Sequence, residues 1–167
     1  MKKIATYIII FALSALSVAG ATVVLHVQSM QQDFVKNITV VENGMVEDKL
    51  EMVAHGLNPG TEKVFTVNLG CAEGMEGDYQ VTIDFTETDE SPLKQFVDVE
   101  ITLNGEVVYT GMLLDLLKEE TQQIAFRTDL SVKSPSKIVF RYSVDESVGN
   151  EAMQKNAYFD IFITAKK

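Results

Sequence analysis

The sequence predicts an all-β chain, an antiparallel two-sheet β-sandwich with one or two short helical turns. Two observations carry this. Runs with an apolar residue at every second position recur along the chain, the pattern of strands with one buried face. Turn signals separate these runs at short intervals, as they do in sandwiches.

The elements follow in chain order. Lys2 and Lys3 form a short positive region before an uncharged run of 22 residues, Ile4 to Leu25. Ala19-Gly20-Ala21 fits a small-x-small cleavage site, so this stretch reads as a hydrophobic signal helix for export. The run is also long enough to span a bilayer, which leaves an uncleaved anchor as the alternative. Thr22–Val41 is extended, weakly charged and rich in Val and Gln. It serves as a free arm, as a spacer or as the first strand of the sandwich. The organisation expected is therefore a signal segment at 1–21, an extended N-terminal segment at 22–36 and a sandwich at 37–167.

Weak strand signals occur at Ile38–Val41, Lys49–Val53, Lys63–Leu69 and Gln122–Phe126. Asn58-Pro59-Gly60 supplies turn chemistry between the second and third. Stronger alternation places Tyr79, Val81, Ile83 and Phe85 on one face of a strand. Val97, Val99, Ile101 and Leu103 do the same in the next. Asn104-Gly105 follows directly, and Glu106–Tyr109 continues as a strand. Asn-Gly between two such runs is a hairpin signal, because both residues tolerate positive φ. Gly111–Leu117 is too apolar for an exposed helix and suits a buried turn or two, and Ser147–Lys155 suits another. Ile138, Phe140, Tyr142 and Val144 alternate, as do Phe159, Ile161, Ile163 and Ala165.

Composition limits the function. The 167 residues carry a formal charge of −10, and 46% are apolar. Loss of Lys2 and Lys3 leaves 12 basic residues against 24 acidic ones, a net −12. Nucleic acid and anionic membrane are excluded as partners by like charge, so membrane contact is expected only through an uncleaved leader. One Cys and two His are too few for a Cys/His metal site. Cys71 reads as a buried small hydrophobe beside a Gly-rich loop, or as an intermolecular thiol. Asn37-Ile38-Thr39 matches the N-glycosylation sequon.

Catalytic patterns are missing. His26 and His55 are isolated, no His-Glu-x-x-His pair occurs, and no Gly-x-Ser-x-Gly elbow appears. Gly70, Gly74 and Gly77 do not form a phosphate loop. Asp84, Glu87, Asp89 and Glu90 are dense enough in carboxylates to suggest Ca²⁺, but they lack EF-hand spacing. The plain alternative is a solvated strand end in an acidic chain. Asp145, Glu146 and Glu151 form a second cluster of the same kind. No enzyme and no cofactor are expected.

Several short motifs, in order, resemble the TasA/camelysin family of secreted proteins from Gram-positive bacteria. Gly20-Ala21-Thr22 closes the leader. Gly56-Leu57-Asn58-Pro59-Gly60 resembles the family's Leu-x-Pro-Gly turn. Pro92-Leu93-Lys94-Gln95-Phe96-Val97 resembles its Leu-x-x-Phe strand opening. Asn150-Glu151-Ala152-Met153-Gln154 before Phe159-Asp160-Ile161 resembles its Asn-x-x-Gln-Gly segment, with Lys155 where Gly is common. The resemblance implies a sandwich of jelly-roll type and a secreted, cell-surface or biofilm-matrix role. Camelysins are described as metalloendopeptidases, but no zinc motif is present here to carry that activity. The expectation is an exported structural protein that associates with itself or with another surface protein. Its mechanism would be strand addition through Thr22–Val41. A tethered or secreted module binding a protein, a glycan or calcium is the alternative.

Overall fold

The computed structural model describes residues 21–25, 34–40, 46–53, 59–88, 90, 92–118, 123–152, 155 and 157–167. Ten strands occur among them: β1 (Ala21–Leu25), β2 (Phe34–Val40), β3 (Val46–Val53), β4 (Glu62–Cys71) and β5 (Gly77–Glu87), then β6 (Val97–Leu103), β7 (Glu106–Met112), β8 (Ile124–Leu130), β9 (Ser136–Val144) and β10 (Tyr158–Lys166). One α-helical turn, α1 (Leu113–Leu116), follows β7, and short 3₁₀ segments lie at Lys94–Phe96 and Glu146–Glu151. Residues 1–20 of the leader, Ala19 among them, and both His residues lie outside the described residues, whereas Ala21 opens β1. Among the described residues no helix is long and apolar enough to cross a membrane.

The strands form two five-stranded sheets, ordered β1-β3-β10-β5-β8 and β2-β4-β9-β6-β7. Strands β3 to β10 alone give β3-β10-β5-β8 facing β4-β9-β6-β7. Successive strands pass repeatedly from one sheet to the other, which is the eight-stranded jelly-roll arrangement. Within this set every described pairing is antiparallel.

The first two strands depart from the all-antiparallel expectation. β1 pairs parallel to β3, and β2 pairs parallel to β4. Parallel partners need a long crossover. Here each crossover contains a strand of the opposite sheet, because β2 separates β1 from β3 and β3 separates β2 from β4. β1 begins at Ala21, and β2 begins at Phe34, three residues before the boundary expected at 37.

Alternation fixes the inner faces. Tyr79, Val81 and Ile83 of β5 face Ile138, Phe140 and Tyr142 of β9 across a buried core, with Phe159, Ile161 and Ile163 of β10 beside them. Aromatic rings tie the two sheets together. Phe140 lies 5.5 Å from Phe65 and 6.3 Å from Phe85, centroid to centroid. Phe159 continues the chain, 6.0 Å from Phe85 and 5.7 Å from Tyr142. Such contacts add about 0.5–1.5 kcal/mol each beyond area burial. Leu113 and Leu116 of α1 enter the same core, which explains the dense apolar run as a buried turn.

The Asn-Gly turn closes the β6–β7 hairpin. Asn104 has φ 51° and Gly105 φ 92°, the left-handed pair that such a turn needs. The Asn104 side chain accepts from the Lys137 backbone N–H at 2.8 Å, tying the hairpin to β9.

Candidate functional site at the sheet edges

A sheet edge offers unpaired backbone N–H and C=O groups to any extended chain, so the edge strands are where this fold can recognise a partner. The edges are β1 and β8 in one sheet, β2 and β7 in the other. Three of them, β2, β7 and β8, have described side chains, and the three differ.

β8 is guarded by charge. Ala125, Arg127 and Asp129 are exposed on its outer face. Arg127 donates from Nε to Asp78 on β5 at 2.8 Å, and this carboxylate pushes the guanidinium pKa up, chiefly through the hydrogen bond. β7 is guarded by irregularity. Its pairing with β6 shifts register at Ile101/Thr102, so a bulge kinks the strand. Glu106 at its start is exposed, and the Tyr109 ring covers Gly111 so closely that a Cβ there would collide with it.

β2 carries neither device. Val35, Asn37 and Thr39 are exposed on its outer face, and none is charged. Ile38 and Val40 are buried on the inner face, and Lys36 is buried with them at 7% exposure. Asn68 on β4 donates from its side-chain nitrogen to Asn37 Oδ1 at 2.9 Å, the start of an amide ladder running outward across the sheet.

The registers align Val35, Thr66, Val139, Thr102 and Val107 in one row across the outer face of the β2-containing sheet. Val35 and Val107 close the row at its two edges, 61% and 58% exposed. This β-branched strip was not legible from the sequence, because it joins one residue from each of five distant strands.

The acidic candidates do not converge. Asp84 and Glu87 are three apart on β5, so the two-residue period sends them to opposite faces. Asp84 accepts from Gln123 at 3.1 Å, and partial burial raises its carboxyl pKa. Glu87 is paired with Lys94 at 2.6 Å. Glu90 is exposed, and Asp89 lies outside the described residues. Among the described residues, no group of three or more His, Cys, Asp or Glu side chains is placed to hold a metal ion. Of the second cluster, Asp145 is an N-cap: its carboxylate accepts from the Ser147 N–H at 2.7 Å, and that bond lowers its pKa.

Cys71 is buried and unbridged at the end of β4. Burial raises its thiol pKa, and Glu76 nearby adds to this. A thiol so placed is a weak nucleophile. Asn37, the sequon asparagine, sits within a strand with its side chain engaged by Asn68.

No protein-family model and no curated protein sequence matches the chain. Solved structures resemble it at low identity. Aeromonas hydrophila PliG, a periplasmic lysozyme inhibitor of g-type lysozyme, is 9% identical, with 80% of this chain and 99% of that one covered and a TM-score of 0.41. The pre-peptidase C-terminal domain of a Bacillus anthracis collagenase is 7% identical, with 81% and 99% covered and a TM-score of 0.36. The CUB1-EGF-CUB2 domains of rat MASP-1 are 13% identical, with 87% and 42% covered and a TM-score of 0.35.

Proposed function

We propose that this chain is an exported structural protein of the cell surface or extracellular matrix, one that assembles by adding its N-terminal strands to a neighbouring copy. One observation carries the reading. The jelly roll of β3 to β10 is complete without β1 and β2, yet each of those strands lies against the edge of a different sheet. The arm is thus complementary, through backbone pairing, to edges that every copy possesses. An arm that leaves its own edges frees them for the arm of the next copy.

Export rests on the leader. Cleavage after Ala21 makes Thr22 the first residue, one position inside β1. Processing would then release the arm at the start of its own pairing segment. Head-to-tail addition that does not close produces a filament. The resemblance to secreted TasA/camelysin proteins agrees with such a role.

The test is to purify the protein with and without residues 22–41 and to image both by negative-stain electron microscopy. Filaments from the longer form alone are expected. If both forms stay monomeric across pH and salt, the assembly reading fails and a tethered or secreted binding module replaces it.

A further inference from the structure

We propose that β2 is a self-pairing edge, through which two copies of this chain join antiparallel about a two-fold axis at Asn37. The contrast among the edges carries this. β8 presents Arg127 and Asp129, β7 is bulged, and β2 alone of these three is regular and outwardly uncharged. Charges, bulges and prolines on an edge are what keep sheets from joining. β2 has no proline or glycine, and its seven residues include four that are β-branched: Val35, Ile38, Thr39 and Val40.

The partner is a second copy because the strand is complementary to itself. With the axis at Asn37, all seven residues overlap. Val35 then lies opposite the partner's Thr39, and Asn37 lies opposite the partner's Asn37. Exposed faces match exposed faces, and inner faces match inner faces. Asn37 uses its oxygen to accept from Asn68, so its amide nitrogen remains to donate across the axis. The asparagine ladder then runs unbroken from one copy into the next.

Charge points the same way. In a chain of formal charge −10, copies approach most easily where no carboxylate is displayed. The outer residues of β2 provide that strip. Lys36 lies opposite the partner's Ile38, which places the two Lys36 positions two residues apart along the strand and one strand apart across it. At ~3.3 Å per residue and ~4.8 Å between strands that is roughly 8 Å, within the ~10 Å screening length at 0.1 M salt, so this one like-charge pair opposes the association and is screened as salt rises.

One strand pair gives an interface of the small class, below about 1,200 Å², so association is expected only at high local concentration. This interface does not rest on arm addition, because β2 shows the same outer edge on whichever copy's β4 it lies.

The test uses the whole chain, expressed with its leader and recovered as the cell delivers it. Single-cysteine variants Asn37→Cys, Thr110→Cys and Arg127→Cys are oxidised mildly, with Cys71 left in place because its thiol is buried. Asn37→Cys should give a disulfide dimer at least about ten times more abundant than the other two, since paired strands hold opposite Cα atoms within bridging distance. Mixed Val35→Cys and Thr39→Cys chains should cross-link to each other and not to themselves. Thr39→Lys should abolish concentration-dependent association in sedimentation velocity with Tm unchanged. Dimers at Thr110→Cys or Arg127→Cys equal to those at Asn37→Cys would overturn the proposal. So would Val35→Cys self-linking, or a wild-type protein that stays monomeric to about 1 mM, the weak end of the affinity scale. If Thr39→Lys fails to fold, the cross-linking register decides alone.

Discussion

The hydroxyls of Thr128 and Ser136 lie 2.6 Å apart, both buried, and their hydrogen bond joins β8 of one sheet to β9 of the other. Each hydroxyl satisfies the other. Thr128→Val or Ser136→Ala alone leaves one hydroxyl buried without its partner, at a cost of about 1–3 kcal/mol. The double variant should cost clearly less than the two single costs together. Urea unfolding of the four proteins measures the cycle, and strict additivity would show that the bond contributes nothing.

Phe140 is one of the rings through which the sheets touch, against Phe65 on its own sheet and Phe85 on the other. Phe140→Ala should cost about 3–5 kcal/mol, the usual loss for a buried aromatic. Val107→Ser, at an exposed strand edge, should stay within about 0.5 kcal/mol. The comparison separates core packing from β-propensity, and chemical denaturation reads both.

The β6–β7 turn makes different demands on its two residues. Gly105→Ala should cost about 1–2 kcal/mol, because a Cβ is strained at positive φ. Asn104→Gly keeps the conformation but loses the bond from Lys137, so its cost should fall near 1 kcal/mol. A larger loss from Asn104→Gly than from Gly105→Ala would reverse this assignment.

Burial raises the pKa of Tyr142 well above the ordinary 10.0, and burial is also the first cause of the rise at Tyr79 and Tyr109. The folded state keeps these protons where the unfolded chain has already lost them. Stability is therefore fully present below pH ~10 and falls as pH rises above it. Tm measured from pH 8 to 11.5 should drop steeply at the upper end. Tyr142→Phe should make that drop shallower, and an unchanged slope would remove Tyr142 as a source of it.

Strands β5, β6, β9 and β10 were legible because each has one buried face, and alternation reports that directly. Expected spans such as Val97–Leu103 agree with the observed strand. β8 was placed too early, since Thr128 breaks the apolar alternation while being buried through Ser136. Edge strands were harder to read. The outer face of β2 bears Val35, so its pattern is apolar on both sides, and its inner face bears Lys36. The acidic cluster misled because density in sequence is not convergence: strand geometry sends Asp84 and Glu87 apart. What the sequence withheld about the edges was relational, since a guarded edge is recognised only beside an unguarded one.

The central strand of each sheet is also the last of that sheet to be made. β10 sits between β3 and β5, and β9 between β4 and β6. Leu50 must wait for Ile161, and Phe65 for Phe140, before either pairing can form. Contacts so distant along the chain are slow to close. A nascent chain that stops before Ser136 has no middle strand in either sheet. Its two halves remain separate strand pairs, unable to cover one another's hydrocarbon. Folding is thus deferred until nearly the whole polypeptide has emerged, and a chain destined for a translocation channel would stay loose enough to thread it.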